Sequence, residues 1–201
     1  MPTWPESCTL TGQFVSLVPL SMNHHDDLLA AVNDGELYRL WYTAIPAPEK
    51  IEAEIERRLG LRNAGSMLPF AVIEPSTGRA VGMTSYMNID AVNKRVEIGS
   101  TWYRKSVQRS ALNTECKLLL LQYAFEMLHC IGVELRTHFM NIQSRRAIER
   151  LGAKLDGVLR AHMVMPNGTL RDTAVYSITA AEWPAVKTHL LWQLEKPRET
   201  P

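Results

Sequence analysis

Between residues 113 and 130 apolar side chains recur at helical spacing without a gap. Cys116, Leu119, Leu120, Tyr123, Ala124, Met127 and Leu128 fall at i, i+3, i+4, i+7, i+8, i+11 and i+12. Leu118, Leu121 and Phe125 widen that stripe well beyond one face. A helix apolar over so much of its circumference is buried on most sides, so the chain around it must enclose it. A chain of 201 residues can do so, because at this length about 70% of the unfolded surface is buried without a disulfide or metal staple. With 46% apolar and 21% charged residues the composition is that of a globular protein, not a disordered or low-complexity one.

Lys plus Arg total 22 against 21 Asp plus Glu, a formal net charge of +1. That near-balance argues against nucleic acid as a partner. Cys8, Cys116 and Cys130 are odd in number, and no pair has a metal-ligand spacing, which favours a reducing compartment and a cytoplasmic location. The segment Met1-Pro-Thr-Trp-Pro-Glu-Ser has no basic patch followed by an apolar run, and no stretch approaches the ~18 apolar residues of a membrane span. No linker or internal repeat divides the chain. One domain is expected over residues 1–201, with its core at about 10–194 and loose termini at 1–9 and 195–201.

Residues 14–20 (FVSLVPL) read as a strand. Ser21 opens a helix to about residue 33, with Asp26 and Asp27 in its early turns. A second helix over 49–63 carries Ile51, Ile55 and Leu59 on one stripe, and Glu54 faces Arg58 at i,i+4. Strands at 68–74, 79–90 and about 94–103 follow as an antiparallel meander, the first two joined by the turn Ser76-Thr-Gly78. After the long helix at 113–130, Val133, Leu135, Thr137 and Phe139 alternate with Glu134, Arg136 and His138, a strand with one face in the core. A short helix over 141–151 ends at Gly152. Strands at about 158–165 and 170–178 form a hairpin around Pro166-Asn-Gly168, and a last helix spans 182–194. The order describes an α/β fold, a mixed sheet with helices on its faces.

Three constellations can carry chemistry. The first is the basic segment Trp102-Tyr-Arg104-Lys105-Ser-Val-Gln108-Arg109-Ser110-Ala111-Leu112-Asn113-Thr114, where a strand ends and a helix begins. Amides at a helix start attract anions, so it reads as a pyrophosphate cradle, or as a solvated loop with Asn113 capping its helix. The second is Asn141-Ile-Gln-Ser144: Ser144 shares a helical face with Ala147, Ile148 and Leu151 and either faces a cleft or satisfies a free helix amide. The third is Glu97, between Val96 and Ile98 in a mid-sheet strand, where an acid is unusual. It reads as a general base raised towards neutrality by desolvation, or as a surface ion pair with Arg95 or Arg136. Glu97 is expected to share its face with Gly99 and Thr101, and Gly99 to leave room for a ligand or a crossing backbone. His24 and His25 are adjacent and point apart on a helix. His138, His162 and His189 have no metal-like spacing, so no metal is expected. Arg171-Asp172 beside Tyr176 reads as a structural pair on a strand.

Together, the element order, Gln108-Arg-Ser-Ala-Leu-Asn113, Asn141-Ile-Gln-Ser144-Arg145-Arg and the ending Leu151-Gly-Ala resemble the GNAT superfamily of acetyl-CoA-dependent N-acetyltransferases, in its RimJ/RimL-like branch, over about residues 10–194. The resemblance implies a mostly antiparallel seven-stranded sheet with helices on both faces, its strands at 94–103 and 134–140 splaying apart. It implies pantetheine in the gap, paired with backbone near Ser100, Thr101 and Trp102. Pyrophosphate lies on amides from Gln108 through Arg109, Ser110, Ala111, Leu112 and Asn113 to Thr114, and Asn141 and Arg145 also contact the cofactor. Glu97 matches the family's general base, and Ser144 lies near the thioester sulfur. Ala111 stands where the family motif wants Gly, and its Cβ hinders phosphate approach and disfavours positive φ.

The implied reaction is direct acetyl transfer from acetyl-CoA, as cosubstrate, to a primary amine. Glu97 takes the amine proton, a strand amide polarises the carbonyl and Ser144 serves the leaving thiolate. Cys116 faces the core and is no nucleophile. The alternative is a non-catalytic acyl-CoA-binding sensor or scaffold, for which Ala111 is the best support. The acceptor is a protein N-terminus or a small-molecule amine, in a pocket built by the helices of residues 21–63 and their link at 38–48, with Trp41 and Tyr42 as walls. Glu36 and Glu49 read as a solvated face. The expected partners include no nucleic acid or membrane, and the chain is a monomer or homodimer.

Overall fold

The structure, a computed structural model, describes residues 4–196. Its frame is a single sheet of strands β1 (Leu10–Thr11), β2 (Ser16–Pro19), β3 (Met67–Glu74), β4 (Arg79–Asp90), β5 (Arg95–Tyr103), β6 (Gly132–His138), β7 (Lys154–Val164) and β8 (Leu170–Thr179). Their spatial order is β1-β2-β3-β4-β5-β6-β8-β7, and only β5 and β6 are parallel. All seven expected strands are present. The eighth, β1, is an edge strand of two residues pairing Leu10 with Leu17 and Thr11 with Ser16, too short to carry a readable period.

Five α-helices complete the fold: α1 (His25–Asn33), α2 (Ile51–Asn63), α3 (Ala111–Gln122), α4 (Ile142–Glu149) and α5 (Trp183–Glu195). The two faces of the sheet carry separate cores. Under α1 and α2, Leu28, Val32, Ile51 and Ile55 pack with Ala71, Met83 and Trp102. Under α3 and α5, Leu120, Leu121 and Leu190 pack with Phe70, Tyr86, Ile98 and Tyr176. Trp4 and Cys8, in the segment expected to be loose, lie half-buried against this second core. The expected tail from Pro197 onward lies outside the described residues. Among the described residues no helix is long and apolar enough to cross a membrane.

α3 begins two residues earlier than the periodicity suggested, because Ser110 rather than Asn113 is its cap. The Ser110 hydroxyl accepts from the Leu112 amide at 3.2 Å and donates to the Val107 carbonyl at 2.6 Å. At its far end the helix widens into a π turn over Tyr123–Met127, with the Leu128 amide on the Tyr123 carbonyl at 3.0 Å. The wider turn shifts the phase, so Met127 is 67% exposed while Phe125 and Leu128 stay buried.

α3 is bolted to the sheet by polar contacts as well as apolar ones. The buried Glu115 carboxylate accepts the amides of Gln13, Phe14 and Val15 at 2.8, 2.5 and 2.8 Å, closing the turn between β1 and β2. The Tyr86 hydroxyl donates to the Leu120 carbonyl, and the Tyr103 hydroxyl to Cys116 Sγ at 3.2 Å. Cys116 is fully buried and its thiol is pushed up by that burial, so it is not poised as a nucleophile.

Glu115→Ala leaves three backbone donors without their acceptor. The expected loss is about 3 kcal/mol, a melting point lower by roughly 6–12 °C, with Glu115→Gln recovering part of it. Thermal unfolding of the two variants against the parent checks this, and a shift below about 2 °C for the alanine variant would contradict it.

Candidate functional site

β5 and β6 pair over only three positions, Arg95–Gly132, Val96–Val133 and Glu97–Glu134. Both strands then continue, β5 along β4 to Tyr103 and β6 along β8 to His138, without pairing each other. The gap between them is the expected splay. Its local cause lies in β5. Ser85 stands opposite Gly99 and Met83 opposite Trp102, so Thr84 faces two residues, Ser100 and Thr101. Ser100 is in the left-handed region at φ +49°, which makes this a β-bulge. Arg58 of α2, 1% exposed, clamps it by donating Nη2 to the Ser100 carbonyl at 3.0 Å and Nη1 to Ser85 Oγ at 3.2 Å. Arg58 also donates Nε to Glu54 at 2.7 Å, the expected i,i+4 pair.

The bulge reverses the facing of everything after it. Thr101, expected on the face of Glu97, instead turns towards α3. There its hydroxyl bonds Thr84 Oγ1 at 2.7 Å and accepts from the buried Lys117 ammonium at 3.0 Å. Trp102 turns the other way, into the core under α1 and α2. The Trp102 carbonyl lies against Gly82 of β4, so by strand alternation the carbonyls of Thr101 and Tyr103 point towards β6. Tyr103's is taken by Gln108 Nε2 at 3.1 Å.

Glu97 occupies the last paired position before the gap and is 6% exposed. Its Oε2 accepts from Asn88 Nδ2 at 2.6 Å and lies 3.4 Å from Arg136 Nε. Arg95, the other considered partner, is drawn instead to Glu134 at 2.8 Å. Burial pushes the Glu97 carboxyl above its ordinary range, opposed by Arg136 and the Asn88 hydrogen bond. Of the two expected ion-pair partners Arg136 is the one present, but the pair lies in a buried position and not on the solvent face of the sheet. At Gly99 an added Cβ would sit 2.6 Å from Met87 Sδ and 2.9 Å from Glu97 Oε1. Within the chain, the room left by this glycine is taken by those two side chains.

In the loop before α3 the residue with positive φ is Arg109, at +61°; Ala111 is the first helical residue and buried. The conformational burden expected at Ala111 is therefore absent. Among the described residues the amides of Arg109, Ser110 and Ala111 meet no acceptor. Asn113 and Thr114 fall within the first turn. A groove of about 560 Å³ runs beside Ser110, Ala111 and Leu112. Unpaired amides at the positive end of a 12-residue helix suit a diphosphate.

At the end of β6, Asn141 Oδ1 accepts the Ser144 amide at 3.0 Å. The amide of α4 is thus satisfied by Asn141, and the Ser144 hydroxyl has no partner among the described residues. Arg145 lies over the Phe139 ring at 4.4 Å and donates Nε to the Tyr176 hydroxyl at 2.9 Å, which in turn donates to Glu149 at 2.8 Å. Its guanidinium is thereby drawn onto β8 at Tyr176. The expected Arg171–Asp172 pair does not form. Neighbours on a strand face opposite ways, and Asp172 binds Arg160 at 2.6 Å. Trp41 packs edge-on against His138 at 5.2 Å, bringing the link between α1 and α2 to the end of β6.

Asn88, Lys117 and the clamp formed by Arg58 were not anticipated. Arg58 left a signal, a charged residue three positions after Ile55 on the buried side of α2. Asn88 and Lys117 left none, because their partners Glu97 and Thr101 lie 9 and 16 positions away in the chain.

Comparison with known proteins places this arrangement. Residues 15–154 match the acetyltransferase (GNAT) domain family. YdaF of Bacillus subtilis, provisionally named a ribosomal N-acetyltransferase, is 34% identical over 110 residues, which is 55% of this chain and 59% of that protein's length. The crystal structure of a GCN5-related N-acetyltransferase from Brucella melitensis superposes with a TM-score of 0.84 at 33% identity, covering 96% of this chain and 87% of that one. RimJ from Mycobacterium smegmatis, solved in complex with CoA-disulfide, shares the fold at 19% identity and a TM-score of 0.77, with 96% of each chain covered. The splayed parallel pair, the amide-lined start of α3 and the matched residues together make this chain a member of the GNAT acetyltransferase family.

Proposed function

We propose that the chain transfers an acetyl group from acetyl-CoA directly to a primary amine, of a protein N-terminus or a small molecule, with Glu97 as general base and Ser144 serving the leaving thiolate. The observation that carries this reading is a raised, buried carboxylate at the point where the two parallel strands part. The ground for a non-catalytic binding module was Ala111, and an alanine in a regular helical turn gives it none.

The residues present fit a CoA thioester. The amides of Arg109, Ser110 and Ala111 would receive the diphosphate, with the Arg109 charge nearby. The β5 edge at Thr101 would receive the pantetheine arm, and Asn141, whose Oδ1 caps α4, keeps Nδ2 to donate to it. Bound there, acetyl-CoA supplies the activated acyl group. Glu97 removes the proton of the attacking amine, directly or through one water, and its raised affinity for protons suits that task near neutral pH. An unpaired amide of the splayed strand polarises the thioester carbonyl. Ser144 donates to the departing sulfur from the first turn of α4. Much of the acceleration comes from holding amine and thioester in register.

Acetyl-CoA at about 100 times its dissociation constant should stabilise the fold by about 2.7 kcal/mol, raising the melting point by roughly 5–11 °C. An unchanged melting point in millimolar acetyl-CoA removes the cosubstrate from this proposal.

Glu97→Gln separates catalysis from stability. The folded pKa is raised, so the fold favours the protonated carboxyl, and Glu97's contribution to stability is lost as pH rises through that value. Gln mimics the protonated form, so at pH 7.5 the variant should melt no lower than the parent. Its kcat/KM should fall by about 10²–10⁴ and lose the acid limb that the parent shows above the ordinary carboxylate range. Steady-state kinetics against pH beside melting curves checks both; full activity with an unchanged profile excludes Glu97 as the base.

Ser144→Ala should lower kcat by less than Glu97→Gln does, with the KM for acetyl-CoA little changed, since a CoA thiolate is already a fair leaving group. A variant that loses acetyl-CoA affinity and melting temperature together would mark Ser144 as structural.

A further inference from the structure

We infer that the acceptor carries an anionic group, a carboxylate or a phosphate, close to its amine, and that Arg171 and His138 bind that group beside Glu97. This inference rests on the acetyl-transfer reading above.

The period of two along β6 puts Glu134, Arg136 and His138 on one face of the sheet, the face of Glu97. His138 pairs across to Thr173 on β8, so Arg171 and Thr173 share that face. Arg171 Nε donates to the buried Thr173 hydroxyl at 3.0 Å, and His162 Nδ1 lies 3.1 Å from the same oxygen. The guanidinium is thereby oriented, yet Nη1 and Nη2 have no partner among the described residues. The other cations here are occupied. Arg95 holds Glu134, Arg136 lies between Glu134 and Glu97, and Arg160 holds Asp172. Arg171 is half-buried with no carboxylate within 4.0 Å among the described residues. Its charge nonetheless reaches both neighbours, opposing the rise at Glu97 and adding to the fall at His138.

His138 is the second observation. The residue is 4% exposed, and its Nδ1 accepts the Met140 amide at 3.1 Å. The neutral ring therefore carries its proton on Nε2, which is buried and finds no acceptor among the described residues. A buried donor left unpaired is unfavourable, and an acceptor brought to it relieves that cost. The cover over this ring is Trp41, itself 49% exposed, from the link between α1 and α2. A guanidinium fork and a ring N–H offer donors and no acceptor, which matches an acceptor-only group such as a carboxylate or phosphate. Glu97 on the same face meets the amine. A molecule with both groups a few atoms apart spans the two.

The test compares kcat/KM, per concentration of free amine, within two matched pairs: phenylalanine against phenylalaninamide for a carboxylate, and phosphoethanolamine against ethanolamine for a phosphate. The parent should favour the anionic member of at least one pair by about tenfold or more. Arg171→Gln should bring that ratio towards one, mainly through KM. Arg171→Lys should keep part of the ratio, and Arg171→Glu should reverse it. If no member is turned over, calorimetric binding of the same pairs to the protein–CoA complex is read in the same way. No preference in the parent, or an equal loss for both members in Arg171→Gln, overturns the inference while leaving acetyl transfer standing. Failure of acetyl-CoA itself to bind removes the reading beneath it and the inference with it.

Discussion

A single extra residue in β5 organises this protein. With Ser100 in the left-handed region, Thr84 of β4 faces two residues instead of one. Below the bulge, Glu97 and Gly99 face the α1 and α2 side; above it, Thr101 and Tyr103 face α3. The same kink turns β5 away from β6 after the Glu97–Glu134 pair. A sheet that stayed regular through this point would bury Thr101 beside Glu97 and continue the parallel ladder, leaving no gap. The strained residue is held by the buried Arg58 guanidinium on its carbonyl, so α2 maintains the geometry of the cleft from behind.

The buried charges divide according to how completely they are satisfied. Glu115 accepts three backbone amides, and Arg58 donates to a carboxylate, a hydroxyl and a carbonyl. Both are structural, tying α3 and α2 to the sheet. Glu97 has one short hydrogen bond and a cation at 3.4 Å, with Glu134 repelling it from the neighbouring strand. Incomplete compensation in a buried place keeps a carboxyl ready to hold a proton, whereas full compensation makes it a fastener. Lys117 is a third case: burial lowers its pKa, and its ammonium leans on the Thr101 hydroxyl across the cleft wall.

Much of the fold was legible from local signals. The alternation in β6, the Asn-Gly turn between β7 and β8 and the apolar stripe of α3 each announce themselves within a dozen residues. Glu97 was legible too, because an acid between two β-branched residues contradicts its surroundings. Phase was not legible. The π turn after Gln122 and the bulge at Ser100 each shift the register of the residues beyond them, and neither leaves a compositional mark. Periodicity alone therefore puts Met127 and Thr101 on the wrong faces, although it places their neighbours before each shift correctly. The cap of α3 is ambiguous for a related reason. Ser110 and Asn113 are both good capping residues, and only the path of the preceding turn selects between them.

The sequence by itself determined most of the elements and their order, because these follow from periodicity and turn chemistry along a continuous stretch of chain. The tertiary structure decided which residues meet. It assigned Arg136 rather than Arg95 to Glu97, Arg160 rather than Arg171 to Asp172, and Trp41 to His138 from a distant part of the chain. Such choices depend on strand register and on the twist of a sheet assembled from distant segments. A shift of one residue exchanges the faces of a strand, so pairings across the sheet exist only once the whole fold is in place.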